Sequence, residues 1–143
     1  MPLDRRTAVV TGGGRGIGAA VARSLALAGA GVVVSARSRG EIEAVAEELT
    51  DADLRVWALP CDVTDPAQVE ELAAQAQECL GRVDILVNNA GIAGSAPVHR
   101  IRLEEWDRML AVNATGTFLC TQAFLPGMLA AGWGRVVNVA SIA

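Results

Sequence analysis

The sequence predicts an α/β fold, a doubly wound parallel sheet with helices on both faces. Five short apolar runs alternate with segments of helical periodicity. The runs are continuously apolar, which is typical of strands that are buried on both faces of a sheet. Glycine, asparagine and aspartate cluster directly after these runs. Parallel sheets of this kind bind their ligands at that edge, so the same observations indicate where a site would lie.

The first part of the chain predicts three strands and two helices. Residues 7–11 form a compact β-branched run, TAVVT, and glycines follow it at once. Residues 17–28 then place apolar side chains on one helical face, and residues 32–34 form a second apolar run. Residues 42–49 repeat the i, i+3, i+4, i+7 spacing of an amphipathic helix. Residues 54–59 predict the third strand.

The third helix has a specific start signal. Asp65 can cap it, Pro66 suits the first helical position, and Gln68 can reach back toward the cap. An apolar face over residues 69–80 continues the helix. The apolar run at residues 85–87 then predicts the fourth strand.

The last part of the chain predicts an interrupted helical segment and a fifth strand. A polar loop leads to about Arg102, and residues 103–131 are largely helical without forming one clean helix. Gly116 lies inside this segment, and Pro126 must break a backbone hydrogen bond near its end. Residues 136–139 predict the fifth strand, which is apolar on both faces.

Composition and charge exclude several classes of protein. The 143 residues are 52% hydrophobic and 20% charged, which fits one buried core and argues against disorder. A net charge of −4 argues against a nucleic-acid partner. No apolar run approaches the roughly 20 residues of a membrane span, and no apolar signal region is visible. We therefore expect a cytoplasmic protein with no membrane partner.

Cysteine and histidine usage argues against a metal site. The three cysteines are an odd number without C-x-x-C spacing, which disfavours a disulfide framework and a thiolate zinc site. A single histidine does not complete a metal cluster with them. We expect the cysteines to be small buried hydrophobic residues in a reducing compartment.

The junction after the first predicted strand, residues 11–18, reads TGGGRGIG. Glycine permits a tight turn and a close approach of the backbone to phosphate. The N-terminus of the following helix offers free N–H groups and the positive end of its dipole. Its place between a strand and a helix favours phosphate binding over a plain turn. The candidate binding residues here are Gly12, Gly14, Arg15, Gly16, Ile17 and Gly18.

Together with four later segments, this run resembles the classical short-chain dehydrogenase/reductase family. Residues 11–18 resemble its cofactor-binding glycine motif, and residues 61–63 resemble the segment whose Asp meets the adenine ring. Residues 88–91, NNAG, resemble the segment that braces the sheet beside the cofactor. Asn113 falls where the family has a helical catalytic asparagine, and residues 135–141 resemble the strand that ends in the catalytic serine. Order and spacing agree over essentially the whole chain.

The resemblance implies one NADP-binding, Rossmann-type domain over residues 1–143. Ser141 would hydrogen-bond the substrate carbonyl oxygen, where negative charge develops during hydride transfer. Asn113 would interrupt its helix and hold a water of the proton relay through its backbone carbonyl. The alternative for both side chains is a local hydrogen bond. Further cofactor contacts are implied at Asp62, Val63, Asn89, Ala90 and Gly91.

Charge after the second predicted strand indicates the cofactor. In most NAD-preferring members this strand ends in an acidic residue that binds the ribose 2′-OH. Residues 35–39, SARSR, contain no carboxylate, and Arg15 and Arg37 could converge on a 2′-phosphate. The alternative is that Arg37 and Arg39 are solvated loop charges. We expect NADP(H) rather than NAD(H).

The family's Y-x-x-x-K motif is absent from these residues. The sequence has no tyrosine, and all twelve of its basic residues are arginines. The missing Tyr would be the proton donor, and the missing Lys would lower the pKa of that Tyr. We expect the fold to be truncated after the fifth strand, as the N-terminal part of a longer enzyme, and inactive by itself. The last strands, helices and substrate loop would lie outside it.

Within the family, the sequence resembles the 3-oxoacyl carrier-protein reductases most, and this resemblance implies the activity of the complete protein. It would interconvert a small-molecule carbonyl and an alcohol as a homo-oligomer, either a tetramer or a dimer. Phe118, Leu119 and Phe124 fit an interface, although burial against the sheet would explain them equally well. The alternative is a catalytically incompetent dinucleotide-binding fragment or a regulatory subunit.

Overall fold

Five parallel strands form one sheet at the centre of the computed structural model, which describes residues 1–140. The strands are β1 (Thr7–Thr11), β2 (Gly31–Ala36), β3 (Val56–Pro60), β4 (Ile85–Asn88) and β5 (Arg135–Asn138). Their order in the sheet is β3-β2-β1-β4-β5. From β1, the strands β2 and β3 are added on one side of the sheet, and β4 and β5 are added on the other side. The boundary between β1 and β4 is therefore a topological switch point, where sheets of this kind bind ligands.

Five α-helices connect the strands. They are α1 (Gly16–Leu27), α2 (Arg39–Asp51), α3 (Pro66–Leu80), α4 (Leu103–Leu110) and α5 (Gly116–Ala131). A π-helical turn, Ala111–Thr115, joins α4 to α5, and a short 3₁₀ turn, Val98–Arg100, precedes α4. None of the helices in residues 1–140 has both the length and the hydropathy needed to cross a membrane.

Two hydrophobic cores cover the two faces of the sheet. On one face, Val10 of β1 packs with Ala22 of α1 and Ile42 of α2. On the other face, Val9 of β1 packs with Leu72 of α3 and with side chains of α5. Neighbouring valines of one strand therefore enter opposite cores, which explains why the strands are apolar at every position. The predicted doubly wound fold is confirmed.

The first strand has the predicted boundaries, and those of the other strands differ from the predicted ones by at most two residues. The second strand is longer than predicted, because Ser35 and Ala36 pair with Leu59 and Pro60 of β3. The third strand begins two residues later than predicted. Asp53 has a positive φ of 62° in the turn after α2. That turn brings the Leu54 N–H to the Leu49 carbonyl at 3.1 Å, so Leu54 is not free to pair with β2.

The predicted start of α3 is confirmed, with a different partner for Gln68. Asp65 Oδ1 accepts from Ala67 N at 3.0 Å, and Pro66 is the first helical residue. Gln68 does reach back, but its Oε1 accepts from Asp62 N at 2.9 Å and its Nε2 donates to Asp65 Oδ2 at 3.0 Å. Gln68 thus fixes the loop that carries Asp62 to the start of the helix.

The helical segment over residues 103–131 is interrupted, as predicted. Gly116 starts α5, and a Cβ there would lie only 2.6 Å from Val63 Cγ2. Glycine therefore lets the helix approach the loop after β3 closely. Phe124 is buried in the core, whereas Phe118 is 60% exposed, so the predicted apolar positions divide between core and surface.

The fifth strand pairs with β4 on one side, and no described strand pairs with its other side. Asn88 Nδ2 donates to Asn138 Oδ1 at 2.9 Å, a bond that ties the two strands together near their carboxyl ends. Val136 and Val137 are exposed. Among the described residues, this side of β5 is therefore an open apolar edge of the sheet.

Candidate functional site

A cavity of about 670 Å³ lies at the carboxyl ends of the strands, beside the switch point between β1 and β4. Loops after β1, β2, β3 and β4 all contribute to it. The predicted cofactor residues that line it are Gly12, Gly14, Arg15, Gly16, Ile17, Arg37, Asp62, Val63, Asn89, Ala90 and Gly91. Four segments that are far apart in the sequence therefore meet in one cavity.

Three glycines shape the glycine loop in two different ways. Gly12 has φ +63°, and a Cβ there would lie 2.9 Å from Ala90 Cα. Gly18 does not line the cavity, and a Cβ on it would collide with the Gly12 carbonyl oxygen and the Asn89 side chain. Gly16 has φ +55°, and its Cβ position faces open space with no atom within 4 Å. Gly12 and Gly18 permit close packing, while Gly16 leaves room for a ligand.

The N-terminus of α1 opens into the same cavity. Arg15 is its N-cap residue, with extended backbone and no capping hydrogen bond from its side chain. The first N–H groups of the helix therefore lack a side-chain acceptor at this end. Unsatisfied N–H groups and the helix dipole together favour an anion here.

Thr11 braces the cavity wall, a role for which sequence reasoning did not select it. Its Oγ1 accepts from Asn89 N and from Ala90 N, both at 3.1 Å, and donates to Val87 O at 3.4 Å. Asn89 Nδ2 also donates to Gly12 O at 3.0 Å. The loops after β1 and β4 thus hold each other in place. The sequence feature that could have indicated this role is a small hydroxyl residue at the end of a strand, directly before the glycines.

Two arginines that the sequence analysis selected as candidate phosphate ligands lie at the rim of the cavity. Arg37 follows β2 and is exposed, and Arg15 is 87% exposed with its Nε 3.9 Å from Glu41 Oε2. Arg39 does not line the cavity, and it pairs with Glu43 at 3.6 Å. Arg15 and Arg37 are therefore available to the same ligand, whereas Arg39 is a solvated charge on α2.

Glu41 lines the cavity, although sequence reasoning did not select it. Ser38 and Glu41 have the S-x-x-E spacing of a capping box, and this spacing could have indicated that Glu41 lies in the first turn of a helix. Ser38 caps α2 by accepting from Glu41 N at 3.4 Å. The Glu41 side chain lines the cavity beside Arg15. The structure thus brings a carboxylate to the end of β2 that the predicted strand end does not contain.

Asp62 is held in an ionised state at the cavity wall. The Thr64 hydroxyl donates to Asp62 Oδ1 at 2.7 Å, and Thr64 N donates to the same oxygen at 3.0 Å. The Thr64 side-chain hydrogen bond lowers the Asp62 pKa below its usual 3.8, and partial burial opposes this shift. The positive charges of Arg37 and Arg108 lower the pKa further.

The pKa values of the three cysteine thiols are raised, which favours the protonated form at neutral pH. Burial raises the pKa of Cys61 to about 12 and that of Cys120 to about 11, and it also raises the pKa of Cys79. All three thiols are free. In residues 1–140, no group of three or more His, Cys, Asp and Glu side chains is arranged to hold a metal ion.

Asn113 lies in the π-helical turn between α4 and α5, so the expected helix interruption is present. Its Oδ1 accepts from Ile92 N and its Nδ2 donates to Ile92 O, both at 2.9 Å. The Asn113 carbonyl accepts a longer bond, 3.4 Å, from the Thr117 hydroxyl. The side chain therefore fastens the loop after β4 to this turn. The predicted catalytic Ser141 lies outside the described residues.

The sequence model of the short chain dehydrogenase family matches residues 6–143. The chain belongs to this family. It is 43% identical over 139 residues to the D-threitol dehydrogenase of Mycolicibacterium smegmatis, covering 97% of this chain and 54% of that protein. It is 41% identical over 140 residues to an uncharacterized oxidoreductase of Staphylococcus aureus, covering 98% of this chain and 60% of that protein.

Solved structures of this family share the fold. A metagenomic short-chain oxidoreductase, determined in complex with NADP, superimposes with a TM-score of 0.94 at 39% identity. The match covers all of this chain and 65% of that one. A Serratia marcescens short-chain dehydrogenase/reductase mutant gives a TM-score of 0.91 at 37% identity, covering 99% of this chain and 58% of the other. The chain thus spans between about half and two thirds of the length of these relatives.

Proposed function

We propose that residues 1–143 form the NADP(H)-binding domain of a cytoplasmic oxidoreductase that interconverts a small-molecule carbonyl and an alcohol. One observation carries this proposal. The glycine loop, the start of α1 and two arginines line a single cavity at the switch point of the sheet. These features match the chemical parts of a dinucleotide, because N–H groups suit its pyrophosphate and guanidinium groups suit a further phosphate.

The described residues fit such a cofactor. The open space at Gly16 and the uncapped start of α1 would receive the pyrophosphate. Asp62 and Val63 would contact the adenine ring, and residues 89–91 would line the nicotinamide half. The chemistry that a bound nicotinamide supplies is hydride transfer. The protein residues bind and orient it. Thr11 holds the loop after β4, which forms one wall of the cavity, through hydrogen bonds from Asn89 N and Ala90 N.

Arg15 and Arg37 support NADP(H) over NAD(H). Both line the cavity, and a guanidinium group binds a phosphate through paired hydrogen bonds. Residues 36–39 contain no carboxylate that would bind a ribose 2′-OH directly after β2. A family member of the same fold has been solved with NADP.

On the substrate side, we assign a hydrogen bond to Ser141 and a positioning role to Asn113. The Ser141 hydroxyl would donate to the substrate oxygen, where negative charge develops as the hydride moves. The Asn113 side chain holds Ile92 and the π-helical turn together. Its backbone carbonyl would hold the relay water that the family resemblance implies.

The proposed assembly is a homo-oligomer, a tetramer or a dimer, formed through α4 and α5. Trp106, Leu110, Phe118 and Leu129 expose large apolar surfaces on these two helices. Exposed apolar side chains in such number are typical of protein interfaces.

A second candidate function follows from the composition. These 143 residues contain neither the Tyr nor the Lys of the family's proton-transfer motif. By themselves they would bind a dinucleotide without turning over a substrate, as an incompetent fragment or a regulatory subunit. The resemblance to 3-oxoacyl carrier-protein reductases makes 3-oxoacyl thioesters the first substrates to test in a protein that carries the motif.

The deciding experiment combines intact mass with cofactor binding. Calorimetry with NADPH and NADH should show NADPH binding more tightly, and binding of neither cofactor would refute the proposed function. Carbonyl reduction is then followed through NADPH oxidation. Activity in a protein whose mass is well above 14.8 kDa supports the enzyme. Clear turnover by a 14.8 kDa protein would contradict the proposed inactivity of the 143 residues alone.

A further inference from the structure

We infer that Glu41 is a specificity-determining residue of the cavity, which weakens the preference for a cofactor 2′-phosphate by neutralising Arg15. The inference rests on the proposed NADP(H) function and deepens it. It concerns a residue of the helix after β2, outside the strand end at which the sequence predicts cofactor choice.

Local structure fixes the position of Glu41. It lies in the first turn of α2, where Ser38 caps the helix by accepting from Glu41 N at 3.4 Å. A Cβ built on Gly14 would lie 2.9 Å from Glu41 Cβ, so the base of the Glu41 side chain packs directly on the glycine loop. The Glu41 side chain therefore extends from the rim of the cavity, where its Oε2 lies 3.9 Å from Arg15 Nε.

The charges of the cavity are balanced because of this carboxylate. Among the described lining residues, four are charged: Arg15, Arg37, Glu41 and Asp62. Glu41 Oε2 lies 3.9 Å from Arg15 Nε. The Asp62 pKa is lowered mainly by the hydrogen bond from the Thr64 side chain and to a smaller extent by the charge of Arg37. The two arginines thus do not present two uncompensated positive charges to a ligand.

A carboxylate at this rim affects the two cofactors differently. A 2′-phosphate carries about −1.5 to −2 charges near neutral pH and is repelled by the carboxylate. A ribose 2′-OH is neutral and can donate a hydrogen bond to a carboxylate. Glu41 therefore disfavours NADPH without a matching cost for NADH.

Arg15 does not depend on Glu41 for its position. The pair is separated by 3.9 Å, with Arg15 87% and Glu41 44% exposed. Ion pairs of this kind contribute little to holding a side chain in place. Removing the carboxylate should therefore free the Arg15 charge rather than displace it.

The test compares Glu41→Gln with Glu43→Gln. Both changes remove one negative charge from α2, but Glu43 pairs with Arg39 at 3.6 Å and does not line the cavity. Dissociation constants for NADPH and NADH are measured by calorimetry on the purified protein at low and high salt. We expect E41Q to raise the affinity ratio for NADPH over NADH about three- to tenfold at low salt, with a smaller gain at high salt. E43Q should change the ratio by less than about twofold, because its charge is farther from the cavity and screened.

Each outcome decides the inference. An unchanged ratio in E41Q overturns it, and a lowered ratio overturns it by showing that Glu41 positions Arg15. An equal shift in E43Q overturns it as a general charge effect of α2. Glu41→Ala should shift the ratio in the same direction as E41Q, which keeps the test valid if one variant folds poorly by circular dichroism. If the wild type binds neither cofactor, the proposed function fails together with this inference, whereas binding with an unchanged ratio overturns the inference alone.

Discussion

Replacing Thr11 by valine should destabilise the protein, although the two side chains are nearly the same shape. Thr11 is only 2% exposed, and its hydroxyl is the acceptor for Asn89 N and Ala90 N at 3.1 Å. Valine fills the same space without an oxygen. The two N–H groups in the loop after β4 then lose their acceptor, and the donation to Val87 O is lost as well.

The magnitude follows from the number of donors and their surroundings. A buried donor without an acceptor costs about 1–3 kcal/mol. Asn89 and Ala90 are half-buried beside the cavity, where water can satisfy part of the loss. We therefore place each donor at the low end of this range and expect Thr11→Val to cost about 2 kcal/mol.

Urea denaturation measures this loss, and Thr11→Ser is the matched control. With a slope of about 1.5 kcal/mol/M, a loss of about 2 kcal/mol lowers the midpoint by roughly 1.3 M. Serine keeps the oxygen and removes one methyl group, so it should cost only about 1 kcal/mol. A valine variant within about 0.5 kcal/mol of wild type, or a serine variant less stable than the valine one, would refute the assigned role of the hydroxyl.

Three further predictions concern other parts of the site. Arg37→Asp should shift the preference from NADPH toward NADH, because a carboxylate repels the 2′-phosphate and accepts from a 2′-OH; unchanged affinities for both cofactors would exclude Arg37 from binding. Thr64→Val should raise the Asp62 pKa toward 3.8 in an NMR titration, whereas Thr64→Ser should not. Because the folded-state pKa of Asp62 is lowered, its ionised form stabilises the fold above pH 3.8, and this contribution disappears as pH falls through the folded pKa. The valine variant should therefore lose less stability than wild type on acidification in this range. Gly18→Ala should destabilise by about 1–3 kcal/mol in urea, despite the better helix propensity of alanine, because its Cβ meets Gly12 O and Asn89. Gly127→Ala, in α5 with nothing within 4 Å of the new Cβ, should be neutral or stabilising, and equal losses in both variants would contradict the steric explanation.

The sequence by itself determined the order in which strands and helices follow one another along the chain, and it determined the location of the glycine loop. These are local properties, because a two-sided apolar strand, an amphipathic helix and a glycine turn are each encoded within a few consecutive residues. The start of α3 at Asp65 and Pro66 was predictable for the same reason. The end of β2 was less predictable, because it depends on pairing with neighbouring strands: Ser35 pairs with Thr11 of β1 and Leu59 of β3, and Ala36 pairs with Pro60 of β3.

The tertiary structure alone decided which residues far apart in the sequence form hydrogen bonds with each other. Thr11 and Ala90 are separated by 79 positions, and the Ile92 partner of Asn113 lies 21 positions away. Nothing local in either segment encodes its partner. The Thr11 contact forms where β4 pairs beside β1, and the Asn113 contact forms where the π-helical turn meets the loop after β4.

For Glu41, the sequence predicts its role at the helix start, and the tertiary structure decides its place in the cavity. Its S-x-x-E spacing with Ser38 predicts a capping residue, and the cap is present. Its place in the cavity depends on how α2 packs against the glycine loop, which brings Glu41 Cβ against Gly14. The sequence thus determined which residues have the chemistry to bind a dinucleotide. Packing of the sheet and helices decided which charges face one another, because electrostatic interactions depend on distance in space rather than on distance along the chain.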